Sequence, residues 1–113
     1  MSTYETINSY KIMWIMAMFD LPVVTKPQRR AAALFRKNLL KDGFTMFQYS
    51  VYARHCASGE SADVHENRLK MMVPAEGLVS VLRITDKQFG DIRNFCGRKT
   101  RPPPPAPMQW EFF

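Results

Sequence analysis

The sequence predicts an α+β fold in which one β-sheet carries helices on a single face. Three observations point there. The apolar run Ile12 to Phe19 is too short for an ordinary helix and stops at Asp20-Leu21-Pro22. Two later segments combine helical periodicity with a start signal and a stop. The remaining apolar stretches are short and rich in aromatic and β-branched residues, as strands are. With 113 residues, 46% hydrophobic and 12% aromatic, the chain suits one folded domain.

Ahead of the first strand, residues 1–11 form a loose polar leader. The strand itself lacks apolar/polar alternation, so both of its faces should be buried. In "TKPQRRAAALFRKNLLKDG", Thr25 and Gln28 make a capping box and Pro27 sits harmlessly in the first turn. Gly43 supplies the left-handed stop. Ala31, Leu34, Phe35 and Leu39 share a face that should pack on the sheet. "FTMFQYSVYAR" reads as one strand, or as two short ones bent near Gln48. In "SGESADVHENRLKMMVP", Ser58 or Ser61 caps a second helix, Ala62, His65, Leu69 and Met72 share a face, and Pro74 ends it. "GLVSVLRIT" is a strand entered through Gly77. "QFGDIRNFCG" reads as a further short strand or turn centred on Ile92 and Phe95. "RPPPPAP" is extended polyproline, and "MQWEFF" closes the chain as a short strand.

The order of elements is β-α-β-β-α-β, the ferredoxin-like split βαβ arrangement, with an extra C-terminal strand. The parts are a leader at 1–11, the ferredoxin-like domain at 12–97, a basic and proline-rich connector at 98–107, and the closing strand at 108–113. Two helices cover only one face of a four-stranded sheet, and a chain this short has no third layer to spare. A second copy packed sheet on sheet about a two-fold axis would supply the missing cover, so a homodimer is expected. The proline spacer, rising about 3.1 Å per residue, could carry Trp110 and Phe112 across to add an edge strand to the neighbour.

Sixteen Lys and Arg against ten acids leave a net charge of +6, which suits a polyanionic partner. The positive residues gather on the first helix: Arg29, Arg30, Arg36, Lys37 and Lys41, with hardly a carboxylate among them. A dimer would double that stripe into a footprint for a duplex backbone, with Arg98, Lys99 and Arg101 extending it. Asp20 either caps the turn into Leu-Pro or, facing its symmetry mate, helps to hold a cation such as Mg²⁺. His65 reads as a satisfied core or boundary histidine. His55 stands beside Cys56 with no third ligand in view, and the methionines are packing material. No Ser-His-Asp set, P-loop or zinc motif is present. Cys56 and Cys96 are too far apart in sequence for a Cys-x-x-Cys site and read as reduced thiols. With no signal peptide and no apolar run near the ~20 residues of a membrane span, a cytoplasmic protein with no membrane partner is expected.

An apolar strand ending in Phe19-Asp20-Leu21-Pro22, a Lys/Arg-rich helix, and then Gly43-Phe44 with Gln48, Ser50, Val51 and Tyr52 together resemble the Cas-two family of CRISPR spacer acquisition. "ITDKQFGDIRNFCG" is similar to the corresponding region of its type II members. The resemblance spans about residues 12 to 97. It implies a homodimer with a swapped C-terminal strand, and it places Asp20 as the metal-binding, catalytic aspartate of a Mg²⁺-dependent endonuclease acting on RNA or DNA. It further implies a hub that bridges dimers of the Cas-one integrase across double-stranded protospacer DNA. The basic helix would then hold phosphates, and the C-terminal segment with Trp110, Phe112 and Phe113 would contact the integrase. A toxin-like ribonuclease of the virulence-associated protein D type is the competing reading on the same fold.

Overall fold

The computed structural model describes residues 13–99. The leader, Arg101, the rest of the proline-rich connector and the closing strand with Trp110, Phe112 and Phe113 lie outside the described residues.

The order is β1 (Met13–Asp20), α1 (Lys26–Lys41), β2 (Thr45–Gln48), β3 (Val51–Cys56), α2 (Gly59–Met72), β4 (Leu78–Thr85) and α3 (Asp86–Gly90). The strands form one antiparallel sheet in the order β2-β3-β1-β4, the ferredoxin-like arrangement. β1 is central, paired with β3 from Met13↔Cys56 to Met18↔Val51 and with β4 from Met13↔Thr85 to Asp20↔Leu78.

Local signals place the helices. Thr25 and Gln28 close the expected capping box at the start of α1. At its end Gly43, at φ +89°, donates to the Leu40 carbonyl while the Phe44 N–H donates to Leu39. That is a Schellman stop, and its two apolar residues, Leu39 and Phe44, are buried together. Ser58 caps α2 by accepting from the Ser61 N–H. The segment after Phe44 resolves into the two short strands β2 and β3, turning at Tyr49 and Ser50.

Because side chains alternate along a strand, Ile15, Ala17 and Phe19 point to one face. There they join Phe35 and Leu39 of α1 and Ala62 and Leu69 of α2 in the main core. Arg83 of β4 ties that edge to α2, its guanidinium 2.8 Å from Asp63 and 2.9 Å from Glu66. Trp14, Met16, Met18 and Asp20 point to the other face.

Three expectations need correction. α1 buries Ala32, Phe35 and Leu39, whereas Leu34 is 57% exposed; the apolar residues of this helix reach round more than one face, and the sheet selects the arc centred on Phe35. The stretch expected as a strand or turn around Ile92 and Phe95 begins instead with α3, capped by a second Thr-x-x-Gln box, Thr85 with Gln88. Ile92 is half-buried beyond it and Phe95 is 88% exposed. Most consequentially, the second face of the sheet is not wholly bare. Phe89 of α3, Phe47 and Ala53 pack on Trp14 and Met16, with Val51, Ile84 and Ile92 around them. A single turn of helix is the third layer that the chain was expected to lack, and it covers the Trp14 end only. At the Asp20 end Met18, Leu82 and Leu78 stay 37%, 49% and 66% exposed.

Candidate functional site

Asp20 closes β1 because Leu21 and Pro22 follow it, and proline has no N–H to continue a ladder. β4 starts directly opposite, at Leu78. The chain reaches that position through Gly77 at φ +110°, where a Cβ would lie 2.6 Å from Leu21 Cδ2 and 3.0 Å from the Asp20 carbonyl oxygen. Only glycine permits both the left-handed conformation and the close approach. Asp20 is thus fixed in its backbone while its side chain is exposed and free of any hydrogen bond or ion pair to a described residue. Beside it, between the β1–α1 and α2–β4 loops, lies an open groove of about 360 Å³ lined by Leu21, Pro22, Pro27, Ala31 and Pro74. The Gln28 side-chain N–H donates to Glu76 across it, at 2.7 Å.

The basic residues of α1 do not form one stripe. At about 3.6 residues per turn, Arg30, Lys37 and Lys41 line the side away from the sheet and are exposed. Arg29 and Arg36 lie on the flank of the buried arc. Arg29 folds back on the preceding loop, donating to the Val24 carbonyl at 2.7 Å. Arg36 is half-buried, its Cζ 5.4 Å from the centre of the Phe19 ring and 4.5 Å from that of Tyr49. Arg98 and Lys99 are exposed.

Among the described residues no three His, Cys, Asp or Glu side chains converge to hold a metal ion. Around Asp20 the donor set of one chain is a single unpaired carboxylate. That suits a Mg²⁺ that keeps most of its waters better than an all-protein cage, and it leaves room for a second carboxylate from another copy. His65 is paired as a boundary residue, its Nδ1 2.8 Å from Asp42 Oδ2. His55 packs edge-on against Trp14. Both cysteines are free, Cys56 buried and Cys96 exposed. Among the described residues no helix is long and apolar enough to cross a membrane.

Sequence reasoning missed three features. Tyr49, 73% exposed, carries the Arg36 guanidinium. Asp42, nearly buried at the end of α1, gathers His65 and the Arg68 guanidinium on its carboxylate and the Arg54 Nε on its carbonyl. Asp86 accepts from the Trp14 indole at 2.7 Å. The Thr85-x-x-Gln88 spacing was a legible clue to the last; the other two had none, since their partners come from different elements.

Comparison with known proteins places the geometry in context. The family model described as CRISPR associated protein Cas2 matches residues 13–92. A CRISPR-associated endoribonuclease Cas2 of Parvibaculum lavamentivorans is 55% identical over 101 residues, covering 89% of this chain and 100% of that protein. One of Flavobacterium psychrophilum is 46% identical over 110 residues, covering 97% and 96%. A solved structure described as "Crystal structure of cas2" superposes with a TM-score of 0.50 at 21% identity, covering 84% of this chain and 98% of that one; it supports the fold.

Proposed function

The chain belongs to the CRISPR associated protein Cas2 family, and on that premise we propose that it is a CRISPR-associated endoribonuclease whose phosphodiester cleavage depends on Asp20. The observation that carries this is the exposed Asp20 carboxylate, without a described partner, at the end of β1 where the second face of the sheet is left uncovered. The relatives' shared name, endoribonuclease, supplies the reaction class.

The working unit is a homodimer. A second copy laid on the uncovered half would bury Met18, Leu78 and Leu82 and bring a second Asp20 toward the first. Facing carboxylates resist joint ionisation unless a cation lies between them, so the pair would hold Mg²⁺. When bound, Mg²⁺ supplies an acidified water and neutralises charge at the phosphate. Arg30, Lys37 and Lys41 attract the backbone phosphates without reading sequence. The same cationic surface fits a role in spacer acquisition, with the dimer holding duplex protospacer DNA and bridging the Cas-one integrase.

The test is Asp20→Asn, assayed on single-stranded RNA with Mg²⁺ and sized by light scattering. Cleavage falls by about 10²-fold or more while the mass stays that of the wild-type dimer. Wild-type cleavage by Asp20→Asn overturns the reading of the site, and a one-chain mass for the wild type overturns the dimer.

A further inference from the structure

Tyr49 and Arg36 form a pair for which the cleavage chemistry at Asp20 has no use. Tyr49 sits in the two-residue turn between β2 and β3. That turn is anchored to the central strand, because the Ser50 carbonyl accepts from the Phe19 N–H at 3.0 Å. From α1, Arg36 reaches across the core edge so that its guanidinium lies over Phe19 and, more closely, over Tyr49. Its Nε is buried with no hydrogen-bond partner among the described residues. No described carboxylate pairs with it either. Two aromatic rings therefore hold the cation in place, and its charge stays uncompensated.

Even with the guanidinium against it, Tyr49 remains 73% exposed. An aromatic ring at a turn tip adds little to the core when most of it faces water. Its rigid turn and its cationic backing instead present a flat π surface next to an unsatisfied positive charge. The ligand that matches both is a nucleobase followed by its phosphate. In a duplex both faces of a base are covered by its neighbours, so only an unpaired, unstacked nucleotide can use the ring.

We propose that Tyr49, backed by Arg36, is a stacking platform for one nucleobase of a single-stranded RNA, with Arg36 taking the adjacent phosphate. Tyr49 and Asp20 flank the same end of β1, through Ser50 and Phe19, so the platform would position the strand for the reaction proposed above. The inference rests on that reading insofar as the protein must bind nucleic acid.

The test compares the wild type with Tyr49→Leu and Tyr49→Phe, in the full chain without added metal, by anisotropy of a labelled single-stranded RNA and of the same sequence as a duplex. Tyr49→Leu weakens single-strand binding about 5- to 140-fold, Tyr49→Phe retains it, and duplex affinity is unchanged. A Tyr49→Trp variant gives a second readout, an added fluorescence quenching by the single strand that the duplex does not produce. Unchanged single-strand affinity in Tyr49→Leu, an equal loss on both ligands, or no added quenching in Tyr49→Trp overturns the platform while leaving Asp20 chemistry standing. A changed oligomeric mass in Tyr49→Leu also overturns it, marking the ring as a subunit contact. If the wild type binds neither ligand, the nucleic-acid reading itself falls.

Discussion

Trp14 and Phe89 lie face to face, their ring centroids 3.7 Å apart and their planes 6° from parallel. This stack decides how much of the sheet's second face one chain can cover. The indole N–H is satisfied by Asp86 in the same short helix, so α3 is held by both an apolar and a polar contact to β1. What α3 leaves uncovered is the half that ends in Asp20.

Removing the ring tests that layer. Phe89→Ala should cost about 3–5 kcal/mol, read as a lower urea midpoint, because Trp14, Met16 and Phe47 all lose a packing partner. Asp86→Ala should cost about 1–3 kcal/mol, since it strands a buried indole N–H. A midpoint unchanged in both would mean that α3 does not cover the sheet.

Gly77 carries the second prediction. Alanine there meets both a left-handed φ and a side chain 2.6 Å away, so Gly77→Ala should lose at least about 1 kcal/mol. Because the clash falls on Leu21 and the Asp20 carbonyl, RNA cleavage should fall further than the loss of folded protein explains. Equal losses of folded protein and activity would argue that Gly77 does not set the position of Asp20.

Asp42 makes stability depend on acid. Burial alone would raise its pKa, but hydrogen bonds and charge from His65 and Arg68 outweigh this and hold it below the ordinary 3.8. A carboxyl depressed in the folded state adds stability that is fully present above the unfolded value and is lost as pH falls through the folded one. Wild type and Asp42→Asn should therefore differ in urea midpoint at neutral pH and converge below about 3.8. A gap that persists undiminished in acid would show that the charge of Asp42 is not what matters.

Salt titration separates the cations of α1. Arg30→Ala, Lys37→Ala and Lys41→Ala should each lower the slope of log affinity against log salt by about 0.7 for single-stranded RNA, as free phosphate contacts do. Arg29→Ala should change it less, since that side chain already donates to Val24. Identical slopes for all four would restore a single undivided stripe.

Much of the fold was legible because its signals are local. Thr25 with Gln28, Ser58, Gly43 and Gly77 each act on backbone groups within a few residues, and each appears where its spacing implied. The same rule went unapplied at Thr85 and Gln88, because a five-residue helix is too short to show periodicity and its neighbours Ile92 and Phe95 look strand-like. Choosing between Leu34 and Ala32 was beyond local rules: α1 carries apolar side chains around much of its girth, and only the shape of the sheet decides which arc is buried.

The candidate site divides the same way. The sequence by itself determined an aspartate ending a buried strand, a left-handed glycine, a cationic helix and the family, since all of these follow from residue type and spacing. Only the tertiary structure decided that Arg36 leaves the cationic row to stack on Tyr49, that Asp86 reaches Trp14 across 72 positions, and that the sheet is bare at the Asp20 end alone. Those outcomes depend on which surfaces meet once helices and strands pack, and packing brings together residues whose separation along the chain carries no trace of their contact.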